Sequence, residues 1–484
     1  MKNSRGLTTE EKALLVNLTN DIYGAFAEIG AGQEVAANFF KAGGSSGTIA
    51  YTRSAYDMKV SDSFYGKCKR YVCEDRLMQM LATEYDTLSE TLPEKKQTNR
   101  FFVFANTVES LNYHKTNQGQ GWIGMKFQMK VNAEPSEIVL HVKLHDTNNK
   151  RQQEALGILG VNLIHAAYFD QDNIDAFLAA LTYRLPRERV EIDMLRVLGP
   201  DFAHIDNRVI ALNLVKNGLT DATMFDQSRA VLQPSEALYK RNVLLMRGRF
   251  RPMTKVHVDM IEKGMQQYLH EPDVDPDNTC MLLELTLKDL TADGKISEKD
   301  FIDRAELLGS MGYTVMISNY LKHYKMIEYL SSITKGCKIG VLLGVYNLQT
   351  IFDEKYYNTL NGGLLEAFGR GFGHNIKMFV YPAMSISGEG FYGVNNFDLP
   401  DHLKGLFDYM LKTNKVEEVK NYNPDLLHIL SDDVLKKIQD GVASWEDDVP
   451  DSVSKAIKFF TLFGYNENNF KVTPTNSKRE KSNV

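Results

Sequence analysis

Residues 242–257 read NVLLMRGRFRPMTKVH, and this stretch decides the fold. The apolar run 242–247 has the length and composition of a buried strand, and a helical pattern follows from Val256 to Leu269. Thr254 stands where such a helix takes its N-cap. Because near-continuous apolar strands that alternate with helices form parallel sheets covered on both faces, the stretch predicts an α/β fold.

The same alternation extends outward from this stretch in both directions. Apolar, β-rich runs lie near residues 158–164, 189–195, 222–225, 242–247, 279–287, 313–318, 338–345 and 376–381, and helical patterns separate most of them. Eight βα repeats are the size of a (β/α)8 barrel, and an open doubly wound, Rossmann-like sheet is the alternative. We therefore predict a parallel βα-repeat domain over residues 151–415.

The flanking regions have other patterns. Residues 1–150 combine predicted helices, such as the one over Thr8–Ile29, with short alternating strands, so we expect a mixed α+β domain there. Residues 416–470 are predicted to add C-terminal helices. Residues 471–484 read KVTPTNSKREKSNV and are predicted to be a disordered polar tail.

Composition and charge exclude several classes of protein. The chain has 484 residues, 43% of them hydrophobic and 24% charged, which is typical of a globular protein. Its net charge of −6 gives no basic excess for nucleic acid, and it holds no apolar run near the roughly 18 residues that span a bilayer. The four cysteines are too few for a disulfide scaffold. We expect a cytoplasmic protein that binds neither nucleic acid nor a membrane.

Three arginines follow the predicted strand at every second position. Residues two apart on an extended segment share a face, so Arg247, Arg249 and Arg251 are predicted to point the same way. The helix that begins nearby presents free N–H groups, which attract anions. We therefore predict a phosphate or carboxylate clamp, completed by Gly248 and by Lys255 in the first helical turn.

The loop also carries a recognisable motif. Gly248, Phe250, Pro252, Thr254 and His257 follow the pattern Gly-x-Phe-x-Pro-x-Thr-x-x-His. This pattern resembles the nucleotide-binding signature of the nucleotidylyltransferase superfamily, which includes the nicotinamide mononucleotide adenylyltransferases. The family has glycine where this chain has Val256, and its motif follows the first strand of its domain, whereas here it follows the fourth predicted strand.

The resemblance implies a reaction and a set of roles. A mononucleotide phosphate would attack the α-phosphorus of ATP, with Mg²⁺ present and with Thr254 and His257 as catalytic residues. Asn319 and His323 follow a later predicted strand, and His323 stands at the arginine position of the family's second motif, so both are predicted to line the substrate site. No metal-ligating set of side chains is predicted.

These observations leave three functions open. The first is an enzyme that acts on a nucleotide or phosphorylated small molecule, with nucleotidylyl transfer as the most specific reading and a homo-oligomer as a possible state. The second is a non-catalytic protein that self-assembles or acts as a scaffold. The third is a (β/α)8-barrel enzyme that acts on another anionic metabolite.

Two acidic stretches lie outside this motif. Glu191 and Asp193 alternate with apolar residues on a predicted buried strand, so we expect basic partners or raised pKa values. The spacing of Asp289–Asp300 is similar to a calcium-binding EF-hand loop, but a strand precedes it instead of a helix. We interpret this second stretch as a polar loop in which Ser297 and Asp300 begin the next helix.

Overall fold

The computed structural model describes residues 6–171, 173–292, 294–373, 375–385 and 390–470. The chain forms two compact units. The first comprises the described residues up to Phe225 together with Arg229–Ala237 and Ile317–Asn319, and the second comprises Asp226–Ser228, Leu238–Met316 and the described residues from Tyr320 onward. The predicted disordered tail, 471–484, lies outside the described residues.

A mixed six-stranded sheet forms the centre of the first unit. Its strands are β1 Ile22–Gly30, β2 Ile49–Arg53, β3 Arg100–Glu109, β4 Gly119–Phe127, β5 Ser136–Leu144 and β6 Val190–Leu198. They lie in the order β2-β1-β3-β4-β5-β6. The β1 strand pairs in parallel with β2 and β3, and the remaining pairs are antiparallel. A short antiparallel hairpin, β7 Ala222–Phe225 and β8 Val231–Leu232, also belongs to this unit.

Helices cover both faces of that sheet. They are α1 Thr9–Asn17, α2 Glu34–Ala42, α3 Met58–Tyr65, α4 Glu74–Thr91, α5 Pro93–Lys96, α6 Asn149–Phe169, α7 Ile174–Leu181, α8 Asn207–Lys216 and α9 Pro234–Ala237. Phe39 and Leu159, from α2 and α6, share one buried cluster with Phe26 and Phe102 of the sheet. The α4 helix packs on the opposite face, where two of its leucines lie over Gly124.

The first unit corrects three predictions. The run 158–164, predicted as a strand, lies inside α6, because this helix is buried around nearly its whole circumference and so shows no polar face. The predicted helix Thr8–Ile29 is the shorter α1 followed by the buried strand β1. The strand near 189–195 exists as β6 but pairs antiparallel with β5, which places the unit's boundary well beyond residue 150.

The second unit contains the predicted parallel sheet. Its main strands are β9 Asn242–Arg247, β10 Thr279–Thr286, β13 Thr314–Ser318, β14 Ile339–Gly344, β15 Ile376–Tyr381 and β18 Val416–Glu418, of which β13 belongs to this unit only as far as Met316. Short pairs, β11 Thr291–Ala292 with β12 Lys295–Ile296 and β16 Ala383–Met384 with β17 Phe391–Tyr392, form two hairpins. The helices are α10 Lys255–Tyr268, α11 Leu287–Leu290, α12 Glu298–Ser310, α13 His323–Thr334, α14 Val345–Ile351, α15 Gly363–Gly371, α16 Asp401–Lys412, α17 Ser431–Asp440 and α18 Asp451–Phe460.

The order of these six strands decides between a barrel and an open sheet. They run β18-β15-β14-β9-β10-β13, and each pair from β18 to β10 is parallel. Numbered from β9, this order is 3-2-1-4-5-6, the order of a doubly wound, Rossmann-like sheet. A (β/α)8 barrel is therefore wrong, and with it the barrel-enzyme reading. Three predicted strands, 158–164, 189–195 and 222–225, belong to the first unit.

The position of the Gly248–His257 motif follows from this order. β9 is the first strand of the second unit, so the motif follows the first strand of its unit and not the fourth, as the sequence predicted. The chain order reverses between β9 and β14, the point where doubly wound sheets bind ligands beyond their strand ends. No helix in the described part of the chain is both long and apolar enough to span a membrane.

Candidate functional site

The loop after β9 turns sharply instead of continuing the strand. Phe250 has a φ of 44°, in the left-handed region, and its side chain is fully buried. Its ring lies directly under Gly248, where an added Cβ would come within 2.8 Å of the ring. The turn explains why the motif has glycine at this position: a side chain there would displace the phenylalanine.

Thr254 and His257 together form the start of α10. Thr254 is the N-cap residue, and its backbone N–H donates to Nδ1 of His257 at 3.1 Å. The Thr254 hydroxyl lies 2.9 Å from the same nitrogen. Since Nδ1 accepts these bonds, the imidazole proton is on Nε2, and burial lowers the pKa of His257 to about 4. His257 is therefore a neutral hydrogen-bond donor at neutral pH.

A cavity of about 480 Å³ opens beyond the ends of β9 and β14. This volume is within the usual range for a small-molecule site. The polar and glycine residues that line it are Arg247, Gly248, Arg249, His257, Asp289, His323, Gly344, Asn347, Ser431 and Asp432. A neighbouring cavity of about 210 Å³ shares four of these and adds two lysines, Lys288 and Lys322.

His323 is the second histidine of the cavity. It is the first residue of α13, and burial together with the charge of Arg247 lowers its pKa to about 3. It is therefore also neutral at physiological pH. Asn347, in the first turn of α14, also lines the cavity.

The predicted arginine clamp is wrong in its geometry. The turn at Phe250 breaks the extended alternation, so the three arginines do not share one face. Arg247 donates two hydrogen bonds, at 2.8 and 2.9 Å, to the carboxylate of the buried Glu284. Glu284 lies opposite Arg247 on the neighbouring strand β10. Arg249 pairs with Asp432 at 3.0 Å, and Arg251 pairs with Asp300 at 2.6 Å. Each arginine thus has its own carboxylate.

Two further predicted ligand residues are absent from the lining of both cavities. The Lys255 ammonium donates to the carbonyl of Asp447 at 2.7 Å, because α10 turns this side chain toward the C-terminal segment. Asn319 belongs to the first unit, where its N–H donates to the carbonyl of Asp221. Thr254 is fully buried under the loop, so it positions His257 instead of contacting a ligand.

The sequence did not predict the role of Arg304, whose side chain supports the loop that follows β9. This fully buried residue of α12 donates to the carbonyls of Arg249 and Asp289, each at 3.0 Å, and also pairs with Asp300. A fully buried arginine is rare and requires several partners. Nothing in the local sequence signals this role, because an arginine in an amphipathic helix usually faces solvent.

The acidic stretch Asp289–Asp300 takes part in the same loop support. Ser297 caps α12 by accepting from the N–H of Asp300, the helix start that the sequence predicts. The Asp300 carboxylate is shared by two arginines, and Asp289 accepts from Thr286 at 2.6 Å. Asp293 lies outside the described residues. Among those that are described, no group of three or more His, Cys, Asp or Glu side chains is arranged to hold a metal.

Glu191 and Asp193 form a separate polar network in the first unit. Burial alone would raise the pKa of Glu191, but His145, Lys143 and Thr220 outweigh it and lower the value to about 2. Burial likewise opposes the charge of Asp193, yet His141 and Lys143 hold its pKa well below the usual range. The prediction of basic partners is confirmed, and raised pKa values are wrong.

Comparisons with known proteins give weak, local likenesses. No family model and no curated protein matches the chain. The nicotinic acid mononucleotide adenylyltransferase of Plasmodium falciparum aligns over 47% of this chain and 99% of its own, with 12% identity and a TM-score of 0.30. The competence/damage-inducible protein CihA of Agrobacterium tumefaciens aligns over 33% and 94%, with 16% identity and a TM-score of 0.24. A CinA superfamily protein of Klebsiella pneumoniae aligns over 37% and 100%, with 12% identity and a TM-score of 0.24.

Proposed function

We propose that the second unit binds a nucleotide or another phosphorylated small molecule in the 480 Å³ cavity, and that its reaction is nucleotidylyl transfer. One observation carries the proposal. The Gly248–His257 motif joins the first strand of a 3-2-1-4-5-6 sheet to its first helix and lines a cavity at the point where the strand order reverses.

The donors of the cavity suit an anionic ligand. The N-termini of α10 and α13 begin at its wall, and helix N-termini attract phosphate through their N–H groups and dipole. His257 and His323 offer neutral ring N–H donors, which stabilise negative charge without a protonation step. Lys288 and Lys322 add positive charge in the adjoining cavity.

Roles in the transfer follow from these positions. His257 would donate from Nε2 to a phosphate oxygen, Thr254 would keep the ring in that orientation, and His323 would donate from the facing wall. Such a reaction is catalysed mainly by positioning and by stabilising charge, so no protein nucleophile is required. ATP is the proposed phosphate donor, and Mg²⁺ would be held by its phosphates together with one or two carboxylates, for which Asp289 and Asp432 are the candidates.

The ion pairs of the arginines favour a second candidate, nucleotide binding without turnover. In the family that the motif resembles, catalysis depends on charge at the transferred group. Here Arg247, Arg249 and Arg251 each pair with a carboxylate, which weakens the field that a transition state would experience. A protein of this kind would act as a nucleotide sensor or would protect the bound nucleotide.

Calorimetric titration and a pyrophosphate assay separate these candidates. The protein is titrated with ATP and Mg²⁺, and pyrophosphate release is then followed with a panel of mononucleotides. Binding with turnover supports transfer, and binding without turnover supports the second candidate. Replacement of His323 with Ala should weaken binding, whereas His270→Ala, which alters an exposed histidine at the end of α10, serves as the matched control. If wild-type protein binds neither ATP nor inorganic phosphate at millimolar concentration, both candidates fail.

A further inference from the structure

A cysteine pair lies in the loop between α3 and α4 of the first unit. The loop reads GKCKRYVC over residues 66–73, and both Cys68 and Cys73 are partly exposed. Each thiol donates to the same acceptor, the carbonyl oxygen of Arg70, and neither sulfur is more than 2.9 Å from it. The two sulfurs therefore lie less than twice that distance apart.

The surrounding loop holds the two thiols in place. The guanidinium of the fully buried Arg76 donates to the carbonyl of Gly66 at 2.8 Å, which fixes the start of the loop. The carbonyl of Tyr71 accepts from Thr107 at 2.6 Å, which fixes its centre to β3. Cys73 is the N-cap residue of α4, but its side chain makes no capping bond to that helix. Its thiol donates to the Arg70 carbonyl, as that of Cys68 does.

Cationic side chains flank Cys68, whereas acidic side chains follow Cys73. Lys67, Lys69 and Arg70 are exposed next to Cys68, and Arg70 also pairs with Glu236 at 3.7 Å. Glu74 and Asp75 come directly after Cys73. Cationic neighbours favour the thiolate, which is the nucleophile in disulfide exchange. They also attract a small disulfide that carries carboxylates, such as oxidised glutathione.

We propose that Cys68 and Cys73 form a reversible disulfide by exchange with a small anionic disulfide of the glutathione type. The Cys68 thiolate attacks one sulfur of oxidised glutathione, the S–S bond of the glutathione breaks, and one reduced glutathione leaves. The Cys73 thiolate then attacks the Cys68 sulfur of the mixed disulfide, and the second glutathione leaves. Two protein thiols are oxidised, one glutathione disulfide is reduced, and the two cysteine protons end on the two glutathione thiols.

The order of attack follows from the environment of Cys73. Burial, followed by the neighbouring Cys68 sulfur, raises the pKa of Cys73, so its thiol is less ionised at neutral pH. Cys68, which lies between Lys67 and Lys69, therefore makes the first attack, and Cys73 carries out the resolving step. The closed form would link the start of α4 to the loop before it and restrict the segment that Arg76 anchors.

Thiol counting in the full-length protein tests the proposal. After incubation with oxidised glutathione, alkylation in denaturant and intact mass measurement should show two free thiols instead of four, and peptide mapping should join residues 68 and 73. Cys68→Ser and Cys73→Ser should each block the cross-link and keep one glutathione on the remaining cysteine. Cys337→Ser alters a partly exposed cysteine elsewhere and should still form the cross-link.

Three outcomes would overturn the proposal. One is a wild-type protein that keeps four thiols, another is a cross-link that involves Cys280 or Cys337, and the third is a disulfide between two chains seen on a non-reducing gel. Mapping of the wild-type protein requires no variant, so the test holds even if a serine variant fails to fold. Dithiothreitol should restore all four thiols.

Discussion

The backbone N–H of Thr254 donates to Nδ1 of His257 at 3.1 Å, so the side chain that lines the cavity also caps the helix it begins. Glutamate or glutamine usually fills this third helical position in a capping box. A histidine in its place satisfies the same backbone donor while its other nitrogen remains a donor. Helix stability and the proposed ligand binding therefore depend on one side chain, and substitutions can separate them.

We predict that His257→Ala destabilises the protein by about 1 kcal/mol, the usual cost of losing a helix cap. His257→Gln should restore most of this loss, because a glutamine oxygen can accept from the Thr254 N–H. Urea unfolding of the three proteins measures the difference. Equal midpoints for the alanine and wild-type proteins would contradict the capping role. His270→Ala, on an exposed turn after the same helix, controls for loss of a histidine.

Two glycines of the cavity wall should respond differently to alanine. Gly248→Ala would place a Cβ 2.8 Å from the Phe250 ring, so this variant should lose on the order of 1–3 kcal/mol, as overpacked sites do. Gly344 has no heavy atom within 4 Å of an added Cβ and an ordinary backbone conformation, so Gly344→Ala should unfold like wild type. Thermal melts compare the two variants.

The Gly344→Ala variant also tests where the ligand binds. Its methyl group would occupy the proposed binding space, so affinity for ATP should fall while stability does not. A Gly344→Ala protein that binds ATP like wild type, in a calorimetric titration where wild type binds, would place the ligand outside this cavity.

The sequence predicted the strand–loop–helix of residues 242–269 because its signals are local. These signals can be recognised without knowledge of the rest of the chain: an apolar run, a glycine, a proline and an N-cap threonine. The run 158–164 was predicted wrongly as a strand, because no local signal identifies it as a helix. A helix buried on all sides and a strand buried on both faces are equally apolar, and tertiary packing alone distinguishes them.

The candidate site also depends on contacts between distant parts of the chain, which local sequence does not show. The alternation of arginines predicts one shared face, but the positive φ of Phe250 rotates the chain between them. Their carboxylate partners, Glu284, Asp300 and Asp432, come from other strands and helices, and no local pattern connects these residues to the motif. The strand–loop–helix that lines the cavity could be predicted from local signals, whereas the charge balance of the cavity could not.

The two cavity histidines predict a decline of stability in acid. Their folded pKa values, about 4 for His257 and about 3 for His323, lie below the 6.5 of an unfolded histidine. Between these values the unfolded state binds more protons, so stability is complete above pH 6.5 and falls as the pH drops toward 4 and then 3. Each histidine contributes a slope of at most about 1.4 kcal/mol per pH unit.

Urea midpoints measured from pH 7.5 to pH 4 check this dependence. The double variant His257→Gln, His323→Gln should show a shallower decline than wild type, and His270→Gln should follow wild type. Superimposable curves for the double variant and wild type would mean that neither histidine is held neutral by the fold.

The last prediction concerns the Arg249–Asp432 pair at the cavity wall. The two side chains are 49% and 69% exposed, so their ion pair contributes about 1 kcal/mol at most to stability. Arg249→Ala should therefore unfold almost like wild type. Arg251→Ala is a poor substitute, because it would disrupt the Arg251–Asp300–Arg304 network that supports the loop.

Ligand binding should respond to the two partners of this pair in opposite directions. If a phosphate competes with Asp432 for Arg249, then Asp432→Asn frees the guanidinium and removes a repelling charge, so ATP should bind about fivefold more tightly, equivalent to about 1 kcal/mol. Arg249→Ala should weaken binding. In the double variant the gain from Asp432→Asn should shrink, because the freed cation is missing. Calorimetry at low and high salt measures the affinity of each variant for ATP. The gain in affinity from Asp432→Asn should decrease as salt screens the charges. If Asp432→Asn instead weakens ATP binding in the presence of Mg²⁺ and leaves inorganic phosphate binding unchanged, Asp432 acts on the ligand through the metal, and competition for Arg249 is ruled out.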